Sequence, residues 1–142
     1  MITTEQVFEM QSEILASINH INNGGCIHFA YFFSRALKAA KIPHKVCFFN
    51  YDPISLGYLS FESVSHVMIY IPNIGYIDGY HTYKSRKDYF KKYDEQYQKI
   101  VNISLVKLNY FRRTKSWNHT YPTRQNSLLS KIVNKHVQSW VT

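Results

Sequence analysis

Apolar positions in the first forty residues recur every three or four residues, which predicts two consecutive amphipathic helices. The first covers residues 3–19. Val7, Phe8, Ile14, Leu15 and Ile18 form one stripe, Glu5, Glu9 and Glu13 lie toward the other side, and Thr3 or Thr4 caps the start. Asn22-Asn23-Gly24-Gly25 breaks the pattern with turn-forming residues. The second helix runs from Cys26 to Lys41 on Ile27, Ala30, Phe33, Ala36, Leu37 and Ala40, and Ile42-Pro43 stops it.

The period then shortens. Lys45–Asn50 reads as a strand, Tyr51–Ser60 as a loop poised over a site, and Ser65–Ile71 as a strand with Val67, Ile69 and Ile71 on one face. His66, Met68 and Tyr70 take the opposite face, and Pro72–Gly75 turns the chain into a returning strand at Tyr76-Ile77-Asp78. Further on, residues 85–97 are expected to be a helix with a stripe of Tyr89, Phe90, Tyr93 and Tyr97, and Ile100–Phe111 a strand. Trp117–Pro122 is expected to cover a core before a last helix at Asn126–Trp140 with Leu128, Leu129, Ile132, Val133, His136, Val137 and Trp140 on its stripe. The fold class is therefore α+β: one domain over residues 1–142, with helices packed on one side of a small, mainly antiparallel sheet.

Composition adds three constraints. With 45% hydrophobic and 18% charged residues, the chain buries a core rather than remaining disordered. Its net charge of +8 invites a nucleic-acid partner. However, much of the excess falls in residues 84–115, and no RNP-like motif, zinc-finger spacing or recognition helix accompanies it, so a solvated basic surface is the favoured reading. No apolar run approaches the roughly 18–20 residues needed to cross a bilayer, so no membrane partner is expected. The polar opening MITTEQVFEMQSE is not a secretory signal. Two cysteines without export imply a reduced, cytoplasmic setting, in which a Cys26–Cys47 disulfide is disfavoured.

Candidate chemistry centres on Cys26. A cysteine attacks as its thiolate, and the unpaired N–H groups and dipole at a helix start favour that anion. Glycines before it let the backbone turn and leave room for a substrate. A base and an orienting acid complete such a site, and His66 and Asp78 supply them from neighbouring strands of the predicted hairpin. The other candidates read more simply. Cys47, between Val46 and Phe48, is a core residue; His28 lacks the further ligands of a metal site; His81 is a rival base or substrate contact; His44 has only its location; and His136 is a satisfied core histidine.

Residues 24–49 (GGCIHFAYFFSRALKAAKIPHKVCFF) and 65–80 (SHVMIYIPNIGYIDGY) together resemble the transglutaminase-like core of the papain-like cysteine-protease superfold. Lys41-Ile42-Pro43 matches that family's helix exit, Ser65-His66-Val67 its histidine strand and Tyr76-Ile77-Asp78 its aspartate strand. Small phage-type proteins look similar, which would place the chain in a host cytoplasm. The resemblance implies a Cys26–His66–Asp78 triad performing acyl transfer on a protein, peptide or small amide through a thioester, with no cofactor. Asn22, Asn23 and Gln11 are its oxyanion candidates. The chain departs from the family at Ile27 and Val67, where aromatic residues often stand. The competing reading is an inert papain-like fold that binds nucleic acid or a protein through its basic, tyrosine-rich surface.

Overall fold

A computed structural model describes residues 1–22, 25–50, 64–90, 99–114 and 121–141. The described elements, in chain order, are α1 (Thr4–Ser17), α2 (Cys26–Ala39), β1 (Lys45–Asn50), β2 (Val64–Ile71), β3 (Gly75–Ile77), β4 (Thr82–Tyr83), α3 (Arg86–Phe90), β5 (Lys99–Ile103), α4 (Leu105–Thr114) and α5 (Asn126–Trp140). The five strands form one antiparallel sheet in the order β4-β3-β2-β1-β5. This is an α+β protein.

Alternation along the strands sorts side chains onto two faces. Val46, Phe48, Val67, Ile69, Ile71 and Ile77 join the main core with α1, α2, α5 and Leu108 of α4. Cys47, Phe49, Met68 and Tyr89 of α3 form a smaller core behind the sheet, closed by Tyr70, Tyr76 and Tyr83. Tight aromatic contacts hold this second face: Phe49 and Tyr89 lie 4.6 Å apart and Tyr70 and Tyr76 4.8 Å apart, ring centre to ring centre.

Helix α1 starts at a reciprocal capping box. The Thr3 side chain accepts from the Gln6 N–H at 3.2 Å, and the Gln6 side chain accepts from the Thr3 N–H at 2.9 Å. Its buried stripe is Val7, Met10, Gln11 and Ile14, whereas the predicted stripe members Phe8 and Leu15 are 66% and 63% exposed. Helix α1 is clamped to α5 by Glu13, which accepts from Lys135 Nζ at 2.6 Å and pairs with His136 Nε2 at 2.8 Å. His136 is thus satisfied at the edge of the core, while Leu128, also placed on that stripe, is 44% exposed.

The expected strand over 100–111 is corrected to a short strand followed by a helix. Ser104 ends β5 and caps α4, its side chain accepting from the Lys107 N–H at 3.2 Å and its carbonyl from the Leu108 N–H at 2.9 Å. Leu105, Leu108 and Phe111 then line the inner face at a spacing of three, a pattern that strand alternation partly mimics. The expected helix over 85–97 is described only as Arg86–Phe90, and its remainder lies outside the described residues, as do the predicted loop Tyr51–Ser60 and most of Trp117–Pro122.

Candidate active site

Cys26 is the first residue of α2, and the N-cap residue, Gly25, has no side chain to cap that end. The Gly25 carbonyl accepts from the Phe29 N–H at 2.9 Å, so the opening N–H groups of the helix carry their partial positive charge next to the thiol. The start of the helix is crowded. A Cβ on Gly25 would come within 2.6 Å of both the Ile21 carbonyl and the Tyr121 ring. Tyr121 in turn stacks on His28 at 5.1 Å, and its hydroxyl donates to Asn126 Oδ1 at 2.8 Å. Asn126 Nδ2 faces His28 Nδ1 at 3.3 Å. His28 is therefore structural: burial, reinforced by the Arg112 charge, lowers its pKa to about 4, so a neutral ring accepts from Asn126.

His66 lies near the start of β2, paired with Phe49 across β1. The ladder slips between Phe49 and Asn50, next to His66, a kind of irregularity that bends a strand and re-aims its side chains. His66 Nε2 and Asp78 Oδ2 are 2.9 Å apart, with 13% and 3% of the two side chains exposed. Burial acts to lower the His66 pKa. The hydrogen bond and charge of Asp78, with a contribution of the same sign from Cys26, outweigh it and carry the group up to about 10. With Nε2 given to Asp78, Nδ1 is the ring nitrogen left for a second partner. The three residues predicted on chemical grounds therefore meet through one imidazole.

Asp78 ends the β3 segment in a tight turn. Its Oδ1 accepts from the Tyr80 N–H at 2.8 Å and the His81 N–H at 2.7 Å, and its own N–H donates to the His81 carbonyl at 3.0 Å. Burial acts to raise its pKa, but the His66 hydrogen bond and charge and the two N–H donors hold the carboxylate below its ordinary range. His81 contributes this main-chain clamp, while its side chain is 52% exposed, with Nδ1 3.7 Å from Asp78 Oδ1.

Gln11 takes a different part from the oxyanion donor expected of it. Its amide nitrogen donates to the Asp78 carbonyl at 3.0 Å, the His81 carbonyl at 2.8 Å and Thr82 Oγ1 at 3.2 Å. With three acceptors already in reach, that NH2 group is committed to the turn presenting Asp78. The sequence carried a sign of this role, because residue 11 is a polar position inside the apolar stripe of α1. Asn22 keeps a side-chain oxygen that is buried without a partner, whereas an oxyanion needs a donor; the amide turned over would present its NH2 at that point. Asn23 lies outside the described residues.

Cys47 is 2% exposed, and burial pushes its thiol up to about 11, against a small opposing effect of Lys45. Cys26 and Cys47 are not joined in a disulfide. Ser34 Oγ and His44 Nε2 are 2.7 Å apart and His44 Nδ1 lies 2.8 Å from the Ile42 carbonyl, so His44 ties the end of α2 to β1. Among the described residues, no group of three or more His, Cys, Asp or Glu side chains is arranged to hold a metal ion, and no helix is long and apolar enough to cross a membrane. A cavity of about 400 Å³ is lined by Ile2, Ile42, Ile71, Ile74 and Trp140 among others. It lies at the other end of β2 from His66, five residues or about 17 Å along the strand.

Fold and site together define an α+β protein with a buried histidine–carboxylate pair joined to a helix-initiating cysteine. No family model, curated protein or solved structure matches the chain.

Proposed function

We propose that the protein is a cysteine-dependent acyl-transfer enzyme with a papain- or transglutaminase-like arrangement, using Cys26 as nucleophile, His66 as acid and base, and Asp78 as the group that orients the imidazole. The observation that carries the reading is the 2.9 Å hydrogen bond between His66 and Asp78, with Cys26 at the start of α2 close enough to act on the same imidazole. A buried imidazole held protonated near a sulfur at a helix start favours a thiolate–imidazolium pair.

In the first half-reaction the Cys26 sulfur bonds to the carbonyl carbon of an amide, and the carbonyl π pair moves to oxygen. The tetrahedral species collapses as the C–N bond breaks, and the leaving nitrogen takes the proton from His66. A thioester remains. Water or an amine then attacks it while giving a proton to His66, and the C–S bond breaks to return Cys26 as thiolate beside the imidazolium. Asp78 holds the ring throughout and is itself held by the Tyr80 and His81 N–H groups. Hydrolysis, deamidation and transamidation share these steps and differ in the second nucleophile. The substrate class that fits is a protein, peptide or small amide.

The test uses p-nitrophenyl acetate, an activated acyl donor, with intact-mass and peptide analysis. The expected result is a stoichiometric burst of nitrophenolate and one acetyl group on Cys26, removable by hydroxylamine and absent in Cys26→Ala. Acetylation confined to lysines, or shared equally with Cys47, would overturn the reading.

A further inference from the structure

A second cavity, of about 370 Å³, opens between the later turns of α2, the start of β1 and the junction of β5 with α4. Lys38 and Lys45 line it from α2 and β1, and Ser34, His44, Ser104 and Leu105 are among the other residues around it. Among the described residues, neither lysine ammonium has an ion pair or a hydrogen bond, and no Asp or Glu lines the cavity. The cavity is remote from the proposed active site. Lys45 is four residues, or about 14 Å, along β1 from Phe49, which pairs with His66.

The uncharged polar side chains leave donors, not acceptors, to spare. His44 Nδ1 lies 2.8 Å from the Ile42 carbonyl and so carries a hydrogen, while Nε2 is 2.7 Å from Oγ of the buried Ser34. In the neutral ring, Nε2 accepts from that hydroxyl, and both groups are satisfied. Ser104 Oγ accepts from the Lys107 N–H at 3.2 Å, which leaves its own hydroxyl hydrogen for another acceptor. Leu105 begins α4, and the first N–H groups of a helix have no partner inside it. Two unpaired cations beside spare donors suit a ligand that carries two negative charges and only acceptors. A phosphate monoester is such a ligand, with three free oxygens and a charge near −2 above its second pKa of about 6. A carboxylate brings a single charge, and a phosphodiester brings a single charge with substituents on two of its oxygens.

We propose that Lys38, Lys45 and Ser104 bind the phosphoryl group of a phosphate monoester in the cavity that the Ser34–His44 pair also lines. The two ammoniums neutralise the dianion and the Ser104 hydroxyl donates to one of its oxygens. His44 is then a local reporter of occupancy, because its ring borders the same space.

The test titrates phenyl phosphate into the full chain at about pH 7.5, where the ligand is dianionic, with calorimetry for affinity and NMR of the His44 ring protons for location. Lys38 and Lys45 are both exposed, so replacing them is expected to leave the melting temperature in place. Lys38→Gln/Lys45→Gln should weaken binding at least about tenfold, through the loss of two charge-assisted contacts. Lys84→Gln/Lys87→Gln, which removes the same charge from the stretch leading into α3, should leave the affinity unchanged, as should Cys26→Ala. Benzoate and dimethyl phosphate, each with a single charge, should bind at least about tenfold more weakly than phenyl phosphate. Failure of phenyl phosphate to bind, or binding that leaves the His44 ring protons unshifted, would overturn the proposal. So would equal losses in the two lysine pairs, or binding of benzoate or dimethyl phosphate as tight as that of phenyl phosphate.

Discussion

At the residue scale the proposed site rests on a carboxylate with three hydrogen-bond partners as well as on the cysteine. Asp78→Asn keeps the acceptor for the Tyr80 and His81 N–H groups but removes the charge that holds His66 protonated. His66, raised to about 10 in the unmodified protein, should then titrate at lower pH, as followed by NMR of its ring protons. Gln11→Ala strips the donor from the Asp78 and His81 carbonyls, and a buried acceptor left unsatisfied costs about 1–3 kcal/mol. An unfolding free energy lowered by that amount in chemical denaturation, with slower thiol alkylation at Cys26, is the expected outcome. Cys26, His66 and Asp78 were legible because their chemistry fixes residue types and their order fixes neighbouring strands. For Gln11 the sequence showed only a polar position inside an apolar stripe, because its partner at position 78 has no local signature.

At the element scale, Ile21 connects the two halves of the site. Its carbonyl lies against Gly25 before α2, and its side chain lies against Gly79 behind Asp78, where a Cβ would come within 2.6 Å of Cγ1. Ile21 is fully buried and has no slack to give. Gly79→Ala should therefore push the Asp78 turn away from α2, slowing modification of Cys26 by a larger factor than it lowers stability. Alkylation rate and melting temperature measured on one preparation separate the two effects. The amphipathic elements α1, α2, β1, β2 and α5 were readable because each has one dominant period and a clear stop such as Ile42-Pro43. Residues 100–111 were not, because Ile100–Ile103 alternates while Leu105, Leu108 and Phe111 also satisfy a spacing of three. Ser104, acting as a cap, decides between them. Phe8 and Leu15 were misplaced because a stripe read from hydrophobicity alone does not reveal that α5 covers the neighbouring side of α1.

At the scale of the whole molecule, two buried histidines shape stability in opposite directions. His28, lowered to about 4 in the folded state, contributes stability above its unfolded pKa of about 6.5 that is lost as the pH falls through 4. Asp78, also lowered, adds a loss at still lower pH, below its unfolded value of about 3.9. His66, raised to about 10, contributes stability fully present below about 6.5 and lost once the pH has risen through 10. Thermal unfolding followed by circular dichroism should give its highest midpoint near neutrality. Replacing His28 with Gln should flatten the acid side and leave the alkaline side in place. The basic charge of the molecule, read from composition as a solvated surface, is concentrated in part on α2 and α4. There, Arg112 packs over rings rather than against acids.

On the proposed function, Cys26 is an activated thiol because His66 and Asp78 serve it. Iodoacetamide labelling followed by peptide mass spectrometry, from pH 5 to 9, measures this directly by comparing Cys26 with Cys47 in the unmodified protein and in His66→Ala. Cys26 is expected to react at least about tenfold faster than Cys47 below pH 7, where an ordinary thiol is protonated, and His66→Ala is expected to abolish this advantage. Slow labelling of both cysteines at one rate, rising together with pH and indifferent to His66, would contradict it.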